Sequence, residues 1–274
     1  MIEIYNILII FYLAILGLII GSFLNVVIFR INKEENFIVG RSHCMYCKKK
    51  LKALDLIPVL SFLFLKGKCR YCKKKISLQY PLVEIFTALV FVFSYLNINL
   101  VKNNLLFLSK FNSIIVYIFI AFISMLLLII FVYDLKHYII PDEIVAIGFL
   151  SSFFIIFYSY FFVFKFGILD NALGMIVFSG FFAIQYFVSK GCWVGGGDIK
   201  LGLFLGLILG LKLTILSLMI AYISGAIISL ILIVLKLKTR KDIIPFGPFL
   251  IAASFLSFFY GNQIINWYLN MALS

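Results

Sequence analysis

Two acidic residues in this chain stand where long apolar segments end or begin. Asp134 closes one apolar run, in Tyr-Asp-Leu-Lys-His, and Asp198 opens another, after three glycines in Gly-Gly-Gly-Asp-Ile-Lys. Two carboxyl groups that approach each other can share a proton, so that one activates a water molecule while the other protonates a carbonyl oxygen. If the fold brings them together, Asp134 and Asp198 are candidates for the catalytic pair of an aspartyl hydrolase.

Each aspartate also has a simpler structural interpretation. Asp198 could cap the N-terminus of its helix, and Asp134 could face water at the end of a span. On residue types alone, three functional classes remain open: an aspartyl peptidase, a transporter or channel whose acids handle protons or cations, and a non-catalytic membrane scaffold. Because the helix dipole favours negative charge at a helix N-terminus, we expect Asp198 to be the ionised member of a pair and Asp134 to hold the proton.

Four cysteines form a second constellation, in two Cys-x-x-Cys motifs with 21 residues between them. Each motif can present two thiolates from one tight turn, and together they supply the ligands of a tetrahedral zinc site. Two disulfides would instead suit an oxidising compartment, and a thioredoxin-like redox pair would need a strand followed by a helix. The spacing predicts a structural Zn²⁺ site bound by Cys44, Cys47, Cys69 and Cys72, whereas Cys192 is isolated.

The elements that must position these residues are membrane-spanning helices. Hydrophobic residues make up 64% of the chain, charged residues 13%, and the mean hydropathy is +1.16, whereas soluble domains are about 45–50% apolar and about 25% charged. We therefore predict an all-α polytopic membrane protein with about eight transmembrane helices and a small cytoplasmic zinc-binding cysteine domain. The predicted spans cover residues 7–29, 81–97, 112–133, 143–164, 170–189, 199–211, 214–235 and 248–268.

The distribution of Lys and Arg predicts the orientation of these spans. With eight alternating spans, twenty of the 24 basic residues lie in loops on one side and four on the other, and the positive-inside rule assigns the basic side to the cytoplasm. Both aspartates and the four paired cysteines then lie on the cytoplasmic side. The net charge of +13 thus reflects topology and can attract anionic lipid. It does not indicate nucleic-acid binding, because the basic residues do not line one soluble face.

These features divide the chain into three parts. We predict a first transmembrane helix at residues 1–29, a cytoplasmic cysteine domain at 30–80, and a transmembrane core at 81–274 that carries both aspartates. Within the core, three glycines at every fourth position from Gly202 to Gly210 predict a helix face on which neighbouring backbones approach closely.

Six motifs resemble, in order, those of the bacterial type IV prepilin peptidases, the leader peptidase/N-methyltransferase group of aspartyl intramembrane peptidases. They are Gly-Ser-Phe-Leu-Asn-Val-Val-Ile-Phe-Arg from residue 21, the four cysteines, Lys-Gly-Lys-Cys from residue 66 with Tyr-Pro-Leu-Val-Glu from residue 80, Asp134 with a downstream Ile-Pro-Asp, Gly-Gly-Gly-Asp from residue 195 with Lys200, and Ile-Pro-Phe-Gly-Pro-Phe-Leu from residue 244. The resemblance runs from about residue 21 to 250, and it is specific because six motifs occur in register.

The resemblance implies an enzyme that cleaves the leader peptide of type IV prepilins and pseudopilins, with Asp134 and Asp198 as its catalytic aspartates. It also implies N-methylation of the new N-terminal residue, with S-adenosylmethionine as methyl donor. Gly67 matches the glycine linked to that second activity. Glu84 and Lys200 are tentative substrate or methyl-transfer residues, although Glu84 could instead cap its helix or pair with the basic loop.

The implied location is the bacterial cytoplasmic (inner) membrane, with several membrane passes and the active site towards the cytoplasm. Prepilin or pseudopilin substrates and membrane lipid are the implied partners, and nucleic acid is not among them. The sequence does not determine the oligomeric state or the particular pilin.

Overall fold

The computed structural model of the chain describes residues 2–31, 42–163, 168–239 and 242–273. In these ranges the backbone forms helices and turns but no β-strand, so the predicted all-α class is confirmed. The α-helices are α1 (Ile2–Ile31), α2 (Leu60–Phe64), α3 (Gln79–Leu96), α4 (Ile98–Asn104), α5 (Ser113–His137), α6 (Asp142–Tyr158), α7 (Ile168–Ser189), α8 (Gly196–Val234) and α9 (Gly247–Leu273). A π-helical turn, Ser159–Val163, extends α6.

Seven helices of the described chain are long and apolar enough to cross a membrane: α1, α3, α5, α6 with its extension, α7, α8 and α9. The predicted multi-pass membrane protein is thus confirmed, and one of these seven helices, α8, covers two of the eight predicted spans. The sixth and seventh predicted spans, at residues 199–211 and 214–235, are joined in the 39-residue helix α8, in which Gly210 alone has non-helical dihedral angles (φ 71°, ψ 176°).

The two halves of α8, before and after Gly210, run side by side in opposite directions. The backbone of Phe178 in α7 lies against Gly202 in the first half, and the Gln185 side chain hydrogen-bonds the hydroxyl of Tyr222 in the second half. Phe178 and Gln185 are about 10 Å apart along α7, whereas Gly202 and Tyr222 would be about 30 Å apart in a straight helix. Helix α8 is therefore a helical hairpin, and it accounts for both predicted spans.

Glycine is required at the point of reversal. A φ of 71° lies in the left-handed region, which residues with a Cβ rarely adopt, and a Cβ on Gly210 would overlap the Asp170 carboxylate. That carboxylate accepts a hydrogen bond from the Leu211 N–H (3.2 Å), so it caps the second half of α8. The predicted glycine face is confirmed as well, because Gly202 and Gly206 both lie against the α7 backbone.

The chain divides into two compact units, which are described separately. The first contains residues 1–96 and 120–129, and the second contains residues 97–119 and 130–274. The domain boundaries predicted at residues 30 and 81 stay predictions. Residues 32–41 of the predicted cysteine domain lie outside the described residues.

In the first unit, α1 and α3 pack at close range. A Cβ on Gly17 or on Gly21 would lie only 2.5 or 2.6 Å from a Cα atom of α3, so small residues permit this helix separation. The buried Asn25 side chain donates a hydrogen bond to the backbone carbonyl of Tyr80 (3.1 Å). These contacts hold the start of α3, which carries Glu84, against α1.

In the second unit, α8 packs against α6, α7 and α9. The second half of α8 runs antiparallel to α9, because Gly225 lies against Phe249 while the hydroxyls of Ser217 and Ser254 are hydrogen-bonded (3.0 Å). Since the α8 hairpin returns to the level at which it started, the beginnings of α8 and α9 lie at the same end of this unit.

Candidate active site and candidate metal centre

Asp134 lies in the last turn of α5, at the helix end that the sequence predicts. The helix ends at His137, and Tyr138 adopts a left-handed backbone (φ 58°) with its N–H bonded to the Asp134 carbonyl oxygen (2.9 Å). This C-terminal cap turns the chain towards the start of α6. Asp134 is buried, with 5% of its surface exposed, so its carboxyl group faces the interior of the unit and not water.

Asp198 lies in the first turn of α8, where it caps the helix from the third helical position. The Gly195 N–H donates to Asp198 Oδ2 (3.2 Å), and the Asp198 N–H donates to the Gly195 carbonyl oxygen (3.1 Å). Such reciprocal bonds satisfy backbone donors that the helix itself leaves open. Asp198 is 8% exposed. Asp198 therefore caps its helix, as the structural interpretation predicted. The capping bond uses Oδ2 and leaves the other carboxylate oxygen for a further contact.

Gly247, the first residue of α9, contacts the Asp134 carboxyl group directly. Its N–H donates a hydrogen bond to that group, and a Cβ on Gly247 would lie 2.5 Å from Asp134 Oδ2. Only glycine allows the helix start to approach so closely. The motif from residue 244 drew attention to this segment, but its role could not be assigned from sequence because the contact joins α5 to α9.

Asp134 and Asp198 are neighbours in the second unit. The buried Ile140 side chain links their surroundings, since it lies 3.0 Å from the Cβ position of Gly197 and 3.6 Å from that of Gly247. The charge of Asp134 also acts on Asp198. Two carboxyl groups that are buried at close range cannot both ionise without a large cost, so such a pair holds one proton between them.

The helix ends alone do not decide which aspartate carries that proton. Both residues lie at the predicted helix ends, but both are also buried to a similar extent, so loss of hydration opposes the charged form of each. The expectation that Asp198 is ionised and Asp134 protonated therefore stays a prediction.

An aromatic cluster adjoins the aspartates. Tyr222 lies near enough to Asp198 for the charge of the aspartate to act on it, exchanges hydrogen bonds with Gln185 (2.9 and 3.0 Å), and packs on Phe246 with ring centroids 4.9 Å apart. Sequence reasoning missed these residues because they lie within or beside apolar spans. The one available signal was Gln185, which is polar within a span.

Lys200 is ion-paired in the structure. Its Nζ atom lies 2.6 Å from Asp142 Oδ2, and the two side chains are 52% and 62% exposed. The pair joins the start of α8, which carries Asp198, to the first turn of α6, the helix that follows Asp134 and α5. An exposed pair of this kind contributes only about 0–1 kcal/mol, so it is a weak link between these segments.

The four cysteines lie on two turns of the same construction. In the first, the Cys44 N–H donates to Lys49 and the Cys44 carbonyl accepts from Lys48; in the second, the Cys69 N–H donates to Lys74 and the Cys69 carbonyl accepts from Lys73. Lys48 and Lys73 have nearly equal positive φ values, 58° and 59°. Each turn therefore presents its two thiols in the same manner.

The sulfur atoms of these four cysteines could hold a metal ion. They all lie within 4.8 Å of one another, and Cys44 Sγ lies 3.8 Å from Cys72 Sγ. Zinc–sulfur bonds of about 2.3 Å in a tetrahedron require sulfur atoms about 3.8 Å apart, so the spacing fits Zn²⁺. None of the cysteines is in a disulfide, and Cys192 is exposed outside the cluster.

Two of the clustered thiols, those of Cys44 and Cys72, differ in pKa. Burial opposes ionisation of Cys44, but hydrogen bonds from the backbone of Cys47 and Tyr46 outweigh it and lower the pKa of Cys44 to about 7. A backbone hydrogen bond at Lys74 acts to lower the pKa of Cys72, yet burial and the other three thiols raise it to about 11. A bound divalent cation would relieve the repulsion between thiolates, as in structural zinc sites.

Gly67 and Glu84 have structural roles in the first unit. Gly67 has a positive φ of 66° and follows α2, where a Cβ would lie 3.0 Å from the Phe62 ring. The buried Glu84 carboxylate accepts a hydrogen bond from the Val59 N–H (2.7 Å) and another from the Ser22 hydroxyl. Among the alternatives for Glu84, the structure thus shows pairing with the loop before α3, through a backbone N–H and not through a basic side chain.

Comparisons with known proteins identify relatives along nearly the whole chain. Residues 15–98 match the Bacterial Peptidase A24 N-terminal domain, and residues 120–230 match the Type IV leader peptidase family. A protein of Bacillus subtilis (strain 168) named prepilin leader peptidase/N-methyltransferase is 34% identical, over 95% of this chain and 98% of that protein. Proteins of the same name from Legionella pneumophila and Pseudomonas aeruginosa are each 29% identical, over 93% and 94% of this chain and 93% and 92% of their own length. No solved structure matches the chain.

Proposed function

Because this chain belongs to the type IV leader peptidase family, we propose that it cleaves the leader peptides of type IV prepilins or pseudopilins with Asp134 and Asp198 as its catalytic pair. The observation that carries the proposal is the burial of two carboxyl groups at the ends of α5 and α8, on helix ends that Ile140 links, with the N–H of Gly247 bonded to one of them. Carboxyl pairs that share a proton are a known arrangement for hydrolysis of peptide bonds.

Each carboxyl group would have one task. The ionised carboxylate accepts a proton from a water molecule, whose oxygen forms a bond to the scissile carbonyl carbon, while the protonated group donates its proton to the carbonyl oxygen. When the tetrahedral intermediate collapses, the C–N bond breaks and the nitrogen takes a proton. The leader keeps the new carboxylate, and the remaining protein leaves with a new N-terminal amine.

The segment before Asp198 supports access for an extended substrate. A Cβ on Gly196 would meet no atom within 4 Å, and one on Gly195 would meet only Asp198 itself and the Gly197 nitrogen. An open glycine backbone lets another chain approach closely. We therefore propose that the scissile segment lies along residues 195–197.

The location and orientation follow from the charge distribution. The protein is a multi-pass membrane protein, and we propose the bacterial cytoplasmic membrane, with membrane lipid around the spans and the aspartates facing the cytoplasm, because the basic loops lie on their side. Five residues in that count lie outside the described residues: Lys33, Arg41, Lys165, Arg240 and Lys241.

We propose Zn²⁺ as a structural cofactor bound by Cys44, Cys47, Cys69 and Cys72, since their sulfur spacing fits tetrahedral coordination. The ion would hold the two similar turns together and would supply no step of peptide hydrolysis. It would also stabilise a module that contains few other regular elements.

N-methylation of the new N-terminus is the second proposed activity, carried by the names of the relatives, with S-adenosylmethionine as methyl donor. Gly67, Glu84 and Lys200 remain proposed for methyl transfer or substrate binding. The contacts of Gly67 and Glu84 described above are structural, and Lys200 is paired with Asp142, so no binding pocket for the methyl donor is derived from them.

Purified protein and a synthetic prepilin peptide test the proposal. We expect cleavage by the unaltered chain and none by Asp134→Asn or Asp198→Asn. Ion-dependent flux without proteolysis would instead support the transporter class. A scaffold would keep its function when both aspartates are neutralised but lose it in Cys44→Ser.

A further inference from the structure

The cysteine module (residues 42–78) has an exposed apolar face whose side chains are not buried in its interior. One side of α2 carries three apolar residues, Leu60, Leu63 and Phe64, because they are three or four positions apart. All three are exposed, and 83% of the surface of Phe64 is exposed. These three residues are named the docking face. Leu54 and Ile57, just before α2, are exposed too. Grouped apolar residues with a polar rim mark an interaction surface, whereas single ones do not.

The docking face is held at the level of a membrane helix. The Val59 N–H, at the start of α2, donates to the Glu84 carboxylate (2.7 Å). Glu84 lies five residues into α3, which begins at Gln79 and is apolar enough to span a membrane. At 1.5 Å per residue, Glu84 lies about 7 Å along α3 from its first residue. With that first residue placed at the membrane surface, the start of α2 would lie at the depth of interfacial helices, about 5–10 Å into the headgroup and acyl boundary.

The turns on both sides of α2 have strained backbone conformations, which indicates that contacts hold this helix in place. Val59 has a φ of 58° and Lys66 one of 51°, and a β-branched residue rarely adopts such a conformation. Strain of this kind persists only where surrounding contacts impose it. Here the Glu84 carboxylate holds Val59, and Gly67 closes the other side with its N–H bonded to the Phe62 carbonyl oxygen (2.9 Å).

The module that carries the docking face is strongly basic. Residues 42–78 contain one acid, Asp55, and it is paired with Arg70 (2.6 Å). Basic side chains near a bilayer surface are attracted by anionic headgroups, by about 1 kcal/mol each, and their apolar stems lie along the acyl boundary. The basic residues of the module are Lys48, Lys49, Lys50, Lys52, Lys66, Lys68, Arg70, Lys73, Lys74 and Lys75.

We propose that the docking face inserts into the interfacial layer of an anionic lipid bilayer and fixes the cysteine module against the membrane surface. The depth of the Glu84 tie and the basic charge of the module both favour anionic lipid over an apolar protein segment as the occupant. This proposal is independent of peptide cleavage and would hold for an inactive variant.

Tryptophan fluorescence tests it on the whole chain. The chain has two tryptophans, Trp193 and Trp267, and replacing both by Phe allows Phe64→Trp to be the single reporter. In nanodiscs that hold one copy and contain phosphatidylglycerol, lipid brominated at the upper acyl carbons should remove most of the emission at position 64, and acrylamide in the water should remove little. Tyr46→Trp, on the first cysteine turn, is the matched control and should show the reverse pattern.

Two results would overturn the proposal. One is strong acrylamide quenching at position 64 without bromolipid quenching. The other is protection from acrylamide that develops only when a prepilin peptide is added, because the substrate would then be the occupant. Loss of bromolipid quenching in nanodiscs of purely neutral lipid would support the role of the module's basic residues.

Variants at Glu84 test the tie itself. Glu84→Gln keeps an oxygen that can accept the Val59 N–H, and we expect the quenching pattern at position 64 to be retained. Glu84→Leu removes the acceptor, and we expect position 64 to shift towards acrylamide quenching. An unchanged pattern in Glu84→Leu, with the chain still folded by circular dichroism, would show that Glu84 does not set the depth of α2.

Discussion

The cysteine module and the aspartate site are built in opposite ways. The module obtains its four thiols from two copies of one turn within a single short segment. The aspartate site takes Asp134, Asp198 and the Gly247 N–H from three different helices. The first depends on local spacing and on the proposed metal, whereas the second depends on how the helices of the second unit pack. Damage to one should therefore leave the other largely unchanged, and this separation can be tested.

The largest effect is expected from Asp134→Asn and Asp198→Asn. Each removes one carboxyl group of the proposed pair, and we expect prepilin cleavage to fall by about 10³-fold or more, because acid or base catalysis by that group is lost. Asp242→Asn is the control, since Asp242 is exposed and its side chain accepts a hydrogen bond from the nearby Thr239 N–H. Cleavage rates and metal content would be measured together. Loss of the metal in Asp134→Asn would show that the cysteine module depends on the aspartate site.

A smaller but still large effect is expected from Gly247→Ala. The added Cβ would lie 2.5 Å from Asp134 Oδ2, so the carboxyl group must move and its hydrogen bond is disturbed. Displacement of about 1 Å costs on the order of 10²-fold in rate, and we expect that loss in kcat. Gly180→Ala is the matched control, because a Cβ there meets nothing within 4 Å. Equal activity of the two variants would show that the contact between Gly247 and Asp134 is not needed for cleavage.

Loss of the metal should affect cleavage less than loss of the Gly247 contact. Cys44→Ser removes one thiolate ligand, and we expect the bound zinc to fall from about one ion per chain to nearly none while most cleavage persists. Cys192→Ser, at an exposed cysteine outside the cluster, should retain the metal. Because thiols must lose protons to bind zinc, affinity should also fall as the pH is lowered. Zinc release followed by a colorimetric chelator measures both effects.

The smallest effect is expected at the Lys200–Asp142 pair. Lys200→Met should change KM by less than about fivefold, which corresponds to about 1 kcal/mol for an exposed ion pair. If Lys200 steers a substrate carboxylate, Asp142→Asn should lower KM by releasing the ammonium group. A rise in KM in Asp142→Asn would show that the pair positions the two segments, and a double-mutant cycle would give its coupling energy.

Features with short-range signals could be predicted from the sequence. The cysteine spacing predicted the cluster of four thiols because both turns lie within one segment. Apolar run lengths predicted the spans, and the ends of two runs predicted the helix termini at Asp134 and Asp198. In each case the neighbours in sequence are also the neighbours in space.

Features that join distant segments could not be predicted in this way. The alternation of the sixth and seventh predicted spans implied a reversal between them, but it did not indicate that Gly210 makes the reversal or that Asp170 lies against it. The approach of Gly247 to Asp134 and the bonds between Gln185 and Tyr222 depend on helix packing. Lys200 was expected to be available to a substrate, but its partner Asp142 lies on another helix, and no local pattern predicts such a pair.

A double-variant experiment tests the central claim most directly. Prepilin cleavage would be measured for Asp134→Asn, Asp198→Asn and the two combined, at a pH where the unaltered enzyme is active. If the aspartates act as one unit, the combined variant should be no slower than either single variant, because the first substitution already abolishes the shared function. Losses that multiply in the combined variant, or appreciable cleavage by either single variant, would contradict a catalytic pair.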